Sequence, residues 1–133
     1  MDQIRELELR CKELEKLSEI DGLTGFFNYR HLIRALETEM ERTRRNGLPV
    51  SLIMIDLDHF KQLNDTWGHE TGNVALKTAT HIWRNVLRRV DIPCRYGGEE
   101  FAIILPGTRL PQAVQTAERL RKTLERNPLQ LEK

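Results

Sequence analysis

Two short apolar runs set the strongest constraint on how this chain can fold. Residues 50–55 (VSLIMI) are rich in branched side chains and end at Asp56, which is typical of a strand covered on both faces. Residues 101–105 (FAIIL) form the second run, and a glycine pair separates them from a shorter strand signal at residues 94–96. A tight glycine turn between two strand signals predicts a β-hairpin.

Amphipathic segments surround these strands. Apolar residues at helical spacing predict helices over residues 29–46, 70–89 and 111–126, whereas residues 58–68 are polar and no element is predicted there. From residue 50 the order is strand, helix, strand, strand, helix, which one further strand would complete as a split β-α-β arrangement. The chain ends before such a strand, so we expect it to be a fragment that lacks its C-terminal part.

A highly charged helix is predicted at the N-terminus, over residues 2–20. Ile4, Leu7, Cys11 and Leu14 recur at three- and four-residue intervals, which is the pattern of a coiled-coil seam. Two heptads do not distinguish a helix that pairs with a second copy from one that packs on its own domain. Both alternatives stay open from the sequence.

Composition excludes several classes of protein. The 133 residues suit one domain, and 21 positive against 20 negative residues give a net charge of +1, without the excess that coats DNA or an anionic membrane. The longest apolar stretch, residues 52–55, is too short to cross a bilayer, and we expect no signal peptide. Cys11 and Cys94 form no closely spaced pair, so neither a zinc site nor a disulfide framework is indicated. A reducing, cytoplasmic location is expected.

Acidic residues lie where a metal ion could bind. Asp56 ends a predicted strand and would be held rigidly there, although a lone Asp after a strand more often caps a turn. Gly97 and Gly98 allow the backbone to turn with positive φ and leave it bare for a phosphate. Glu99 and Glu100 follow, with side chains that alternate in direction. If the hairpin pairs beside the first strand, two carboxylates converge and suit magnesium, and the alternative is an ordinary solvated hairpin.

Three longer motifs favour the metal-site interpretation of these acids over the ordinary solvated hairpin. Residues 95–101 read RYGGEEF, residues 56–69 read DLDHFKQLNDTWGH, and residues 21–30 read DGLTGFFNYR. In this order they resemble the signatures of the GGDEF family, the diguanylate cyclases, in its GGEEF variant. The resemblance predicts a linker helix over residues 1–20 and a GGDEF domain over residues 21–133 that lacks its C-terminal part.

The resemblance implies a fold and an activity. The fold would be an α/β (α+β) sandwich, with a mainly antiparallel central sheet flanked by helices, similar to the palm of nucleotidyl cyclases and polymerases. The activity would be condensation of two GTP molecules into cyclic di-GMP and two pyrophosphates, across a homodimer of domains. We expect an upstream sensor or receiver domain as a partner, and we expect no binding to nucleic acid. The chain would be cytoplasmic, alone or as the cytoplasmic part of a larger sensor.

The resemblance also assigns site residues. Asp56, Glu99 and the backbone carbonyl of Leu57 would hold two Mg²⁺ or Mn²⁺ ions per active site, with Glu100 assisting beside them. Asn64 would bind the guanine base. The other substrate contacts would come from His59, Phe60, Lys61, Gly97 and Gly98.

One position departs from the family pattern. After residues 68–72 the family most often has Asp, which accepts from two N–H donors of guanine, whereas Asn73 offers one acceptor and one donor group. Selectivity for GTP over ATP is therefore in doubt, and a mixed cyclic dinucleotide could arise. Two nearby residues have a second interpretation, since Phe60 is also suited to core packing and His69 to the start of a helix.

A candidate regulatory motif precedes the hairpin. Arg88 and Asp91 form R-x-x-D, which in the family binds product dimers and restrains the domain. The alternative is a surface ion pair between residues three apart.

Two other functional classes compete with the cyclase hypothesis. The chain could be a non-catalytic module that binds cyclic di-GMP or GTP, or a dimerisation module driven by its N-terminal helix. Retention of both hairpin acids favours the enzyme. No residue matches the family's C-terminal basic residues, so this chain by itself could be inactive.

Overall fold

The chain forms five helices and one three-stranded sheet in the part that the structure describes. The structure is a computed structural model and describes residues 2–128, without the side chains of residues 15–17. In chain order the elements are α1 (Asp2–Leu17), α2 (Tyr29–Asn46), β1 (Val50–Asp56), α3 (Phe60–Trp67), α4 (His69–Val86), β2 (Ile92–Arg95), β3 (Glu100–Pro106) and α5 (Leu110–Arg126). The predicted α+β class is confirmed.

The sheet is antiparallel, in the order β1-β3-β2. The central strand β3 carries five consecutive buried residues, from Phe101 to Leu105, because it has a neighbouring strand on each side and helices on both faces. On one face α4 and α5 build the larger core, where Trp83 packs edge-on against Phe101 at 5.1 Å and donates its indole N–H to the carbonyl of Leu120. On the other face α2 covers β2 and β3.

The prediction that β1 is covered on both faces is wrong. Ile53 is buried in the larger core, but Leu52 and Met54 on the opposite face are 44% and 55% exposed. The reason is position, because β1 lies at the edge of the described sheet and Val50, at its start, is its only residue in the hydrophobic cluster under α2. No strand after α5 is seen up to residue 128, so the further strand of the split β-α-β pattern stays a prediction.

The segment between β1 and α4 contains a helix that the sequence did not indicate. The eight-residue helix α3 begins after His59, which has φ 60° and ψ 22° and supplies no side-chain cap. A short helix without a capping side chain leaves little local signal. The helix predicted over residues 70–89 starts at His69 and ends at Val86, because Leu87 is extended.

The N-terminal helix α1 exposes its apolar stripe. Ile4 and Leu14 are each 66% exposed and Leu7 is 60% exposed, so the stripe does not pack on the domain. Pairing with a second copy stays a prediction. Cys11 is exposed on this helix, whereas Cys94 is buried and its pKa is raised to about 12 by desolvation, so the two thiols lie in different environments. No helix among residues 2–128 combines the length and hydropathy that a bilayer crossing requires.

Candidate active site

The end of β1 and the hairpin acids lie side by side. Asp56 is the register partner of Glu100 across the β1–β3 pair, and the backbone N–H of Leu57 donates to the carbonyl of Glu99 at 3.1 Å. Asp56 and Glu100 are exposed, and Glu99 is half-buried. The condition set from the sequence, that the hairpin must pair beside the first strand, is therefore met. Asp56 and Glu100 are therefore opposite each other at one end of the sheet, and Glu99 is the last turn residue before β3.

The glycine pair shapes this site in a way that the sequence did not predict. Neither Gly97 nor Gly98 has a positive φ, so the expected left-handed turn is not present. The turn closes instead when the N–H groups of Tyr96 and Gly97 donate to the carbonyl of Glu100, at 2.8 and 3.1 Å. A Cβ on Gly98 would meet nothing within 4 Å. The bare surface that a phosphate needs is therefore present without backbone strain.

Arg95 clamps the hairpin to the start of the domain. Its Nε donates to the carbonyl of Gly97 at 3.1 Å, its Nη2 donates to that of Gly98 at 2.8 Å, and its Nη1 reaches the Asp21 carboxylate at 3.3 Å. Asp21 also accepts from the backbone N–H and hydroxyl of Thr24, at 3.0 and 2.7 Å. Partial burial acts to raise the pKa of Asp21, but the Thr24 hydrogen bonds and the Arg95 charge outweigh it and lower that pKa.

The start of α3 presents backbone donors beside the acids. The left-handed His59 turns the chain directly from the end of β1 into the helix, and the first N–H groups of a helix have no partner inside it. His59 and Lys61 are exposed, while Phe60 packs partly against the larger core. This geometry suits an anion and also supports the packing interpretation of Phe60.

The base-binding candidates lie on the α3–α4 pair. Asn64 is on α3, half-buried, and Asn73 is exposed near the start of α4. The carbonyl oxygen of Asn64 is buried without a hydrogen-bond donor among the described residues, and it lies against Gly72. His69 is the exposed first residue of α4, as its helix-start interpretation predicts.

Comparison with known proteins identifies the family. The family model described as "Diguanylate cyclase, GGDEF domain" matches residues 18–133. The chain is 41% identical over 113 residues to the response regulator PleD of Caulobacter vibrioides, covering 85% of this chain and 25% of the relative. It is 39% identical over 113 residues to the probable diguanylate cyclase DgcC of Escherichia coli, covering 85% and 30%.

The chain belongs to the GGDEF family. Among solved structures it is similar to the diguanylate cyclase SiaD of Pseudomonas aeruginosa in complex with its activator SiaC, with a TM-score of 0.77, 42% identity and coverage of 92% of this chain and 46% of that chain. It is also similar to the GGDEF domain of DgcB from Caulobacter crescentus in complex with c-di-GMP, with a TM-score of 0.75, 34% identity and coverage of 77% and 60%. The chain spans a quarter to less than a third of the length of these curated relatives.

The donor set of this GGDEF domain fits a hard cation. Among residues 2–128 no three His, Cys, Asp or Glu side chains form a ready-made metal cage. Asp56 and Glu99 offer carboxylate oxygens, and Leu57 offers a carbonyl oxygen from the same strand end. Magnesium is typically held by one or two carboxylates and completed by substrate phosphates, so a partial set of oxygen ligands is what such a site needs.

The R-x-x-D residues form a closed contact. Arg88 Nη2 and the Asp91 carboxylate are 2.7 Å apart, and the backbone N–H of Arg88 donates to the same carboxylate at 2.7 Å. Arg88 also donates to Thr108 Oγ1 at 2.8 Å, and the hydrogen bond to Asp91 raises the pKa of the guanidinium. The Asp91 side chain is only 2% exposed, whereas that of Arg88 is 54% exposed. Arg88 and Asp91 therefore form the ion pair of the alternative interpretation. Because Asp91 is nearly buried, a ligand at this site would contact mainly Arg88.

Two site residues were not recognised from the sequence as structural links. Asp21 and Arg95 both lie within quoted motifs, but their contact joins residues 74 positions apart. The sequence contains one signal for this contact, which is that an acidic and a basic side chain can form an ion pair.

Asp21→Asn tests the clamp through pH. The mutation removes a charge-assisted contact and should lower the free energy of unfolding by about 1–2 kcal/mol at pH 7. Because the folded-state pKa of Asp21 is depressed, its contribution is present above the unfolded pKa of about 4 and is lost as pH falls through the folded pKa. Urea unfolding of both proteins should therefore show a difference at pH 7 that shrinks below about pH 4.

Glu37→Gln, at an exposed position on α2, is the matched control and should leave the unfolding free energy nearly unchanged. A difference between the wild type and Asp21→Asn that stays constant from pH 7 to pH 3 would contradict the clamp.

Proposed function

We propose that this chain is a diguanylate cyclase domain, which condenses two GTP molecules into cyclic di-GMP and two pyrophosphates. The observation that carries the proposal is the pairing of Asp56 with Glu100, next to Glu99, beside a bare glycine turn. Acidic residues at a phosphate-accessible turn suit a metal-assisted phosphoryl transfer. The name of the relative DgcC, a probable diguanylate cyclase, and the similarity to the diguanylate cyclase SiaD support the same activity.

Each chain would bind one GTP. Asp56, Glu99 and the carbonyl of Leu57 would hold divalent cations, Mg²⁺ or Mn²⁺, two per site. When bound, the cations polarise the phosphates and favour loss of a proton from the attacking hydroxyl. The backbone N–H groups at the start of α3, around Lys61, bind the phosphates, and Gly98 leaves space for them.

The reaction requires a second copy of the domain. The 3′-hydroxyl of one GTP attacks the α-phosphorus of the other, the bond to pyrophosphate breaks, and the hydroxyl proton is lost. A second attack, by the 3′-hydroxyl of the other nucleotide on the remaining α-phosphorus, closes the ring and releases the second pyrophosphate. The protein contributes mainly by holding the two nucleotides in line, and Glu100 assists beside the cations. The exposed stripe of α1 supplies a surface for homodimer formation, and an upstream sensor or an activator would act through that helix.

The base contact would come from Asn64 and Asn73, and product inhibition from Arg88 with Asp91. In the structure the exposed half of Arg88 is the part that remains accessible to a product guanine or phosphate. DgcB, a structural relative, was solved with c-di-GMP, which supports product binding within this family.

Glu99→Gln tests the cation assignment. The amide removes a negative ligand but keeps the shape, so synthesis of cyclic di-GMP should fall at least a hundredfold, equivalent to about 2.7 kcal/mol. Binding of cyclic di-GMP at Arg88, measured by calorimetry, should be retained. Product should be quantified by mass spectrometry in the longest form of the protein that its gene encodes, with Glu37→Gln as the control. Unchanged synthesis by Glu99→Gln would contradict the assignment of Glu99 as a cation ligand. If the wild type binds cyclic di-GMP but does not synthesise it, the non-catalytic module is favoured.

Arg88→Ala tests the inhibitory site. The product concentration for half-inhibition should rise at least about tenfold, because the guanidinium fork is lost. The nearly buried Asp91 carboxylate also loses its charged side-chain partner and keeps only the backbone N–H of residue 88, so the unfolding free energy should fall by about 1–3 kcal/mol. Arg88→Lys keeps the positive charge but lacks the planar guanidinium group. Its product concentration for half-inhibition should therefore lie between those of the wild type and Arg88→Ala. Half-inhibition at the wild-type concentration in a folded Arg88→Ala variant would refute the site.

Asn73→Asp tests base selectivity. A carboxylate provides two acceptor oxygens for the two adjacent N–H donors of guanine, so the preference for GTP over ATP should rise about tenfold. Competition assays with both nucleotides should also show less mixed cyclic dinucleotide. An unchanged ratio of products would remove Asn73 from the base site.

A further inference from the structure

A glycine and an amide are packed against each other between α3 and α4. The carbonyl oxygen of Asn64 is buried and has no hydrogen-bond donor among the described residues. A Cβ built on Gly72 would overlap this oxygen, would lie 2.8 Å from Cγ of Asn64 and would lie 3.3 Å from the ring of Phe60. The hydrogen that occupies the same direction on the Gly72 Cα therefore points at the oxygen. Only glycine can present that weak C–H donor at this distance.

We propose that Gly72 is a positioning residue for base recognition, which fixes the Asn64 amide with its oxygen inward and its NH₂ group toward the nucleotide. The inference rests on the proposed function, because it concerns the base of a bound GTP. Asn64 as a whole is half-buried, and among the described residues its oxygen is the side-chain atom that is buried without a partner, so the NH₂ group is the part of the amide left for a ligand. Asn64 thereby offers donors only.

The consequence concerns which side chain reads guanine. Guanine is distinguished by its ring N–H and its exocyclic NH₂, both of which need acceptors. An amide whose oxygen is turned inward cannot accept from them. Asn73, which follows Gly72 and is exposed, is then the one of the two amides whose oxygen is available. Recognition of the exocyclic NH₂ falls on Asn73, and Asn64 binds an acceptor atom that other purines with a 6-oxo group share.

Thermal unfolding of the nucleotide-free protein tests the contact directly. Gly72→Ala should lower Tm in the wild type, because the methyl group overlaps the Asn64 amide. In an Asn64→Ala background the overlap with the amide is removed, only the 3.3 Å contact with Phe60 remains, and alanine is the better helix former, so the same substitution should lower Tm by several degrees less or raise it. Equal shifts of Tm in both backgrounds would overturn the proposed contact.

Inosine triphosphate, which lacks the exocyclic NH₂ of GTP, tests the division of roles. Asn64→Ala should weaken binding of GTP and of inosine triphosphate by the same factor, about tenfold, in calorimetric titrations with Mg²⁺. Asn73→Asp should raise the preference for GTP over inosine triphosphate by about tenfold. A loss confined to GTP in Asn64→Ala would overturn the inward orientation. Failure of the wild type to bind either nucleotide would overturn the proposed function and the base assignment, whereas the Tm comparison decides the Gly72 contact independently.

Discussion

The pairing of β1 with β3 is the constraint on which the site depends. Seven consecutive register partners run from Val50 with Pro106 to Asp56 with Glu100. A slip of one residue would turn every side chain of β1 to the other face, which would remove Ile53 from the larger core and put the exposed Leu52 and Met54 in its place. Burial therefore fixes the register, and the register places the acids at the same end of the sheet. Core packing and site geometry are set by one interaction.

The hairpin that extends this pairing is held by a guanidinium rather than by glycine conformation. Arg95 occupies the carbonyls of Gly97 and Gly98, which would otherwise be free to rearrange at an exposed turn. The same side chain contacts Asp21, and its backbone N–H donates to the carbonyl of Phe27. The segment after α1 is thus attached along the outer edge of β2. Arg95 therefore joins the segment that follows α1 to the hairpin.

Local patterns predicted most elements because each combines a periodic apolar face with a clear stop, such as Gly47 after α2. They failed where tertiary position decides the outcome. The run in β1 resembles a fully buried strand, yet Leu52 and Met54 are exposed because an edge position cannot be deduced from one strand's composition. The carboxylate positions followed from motif resemblance and strand order. The Asn64–Gly72 contact could not be predicted, because the sequence pattern of two helices does not give the distance between them.

The proposed reaction explains why the apolar stripe of α1 remains exposed in a single chain. In the proposed reaction one domain, with one set of acids and one α3 start, would bind one triphosphate and would lack the attacking hydroxyl of a second nucleotide. Two domains would then have to meet, and encounter between free domains is limited by their concentration. Pairing through Ile4, Leu7 and Leu14 would convert that encounter into an intramolecular one, with an effective concentration on the order of millimolar. The orientation of α1 would then control how often the two nucleotides face each other. A signal that changes this orientation would change the rate of synthesis.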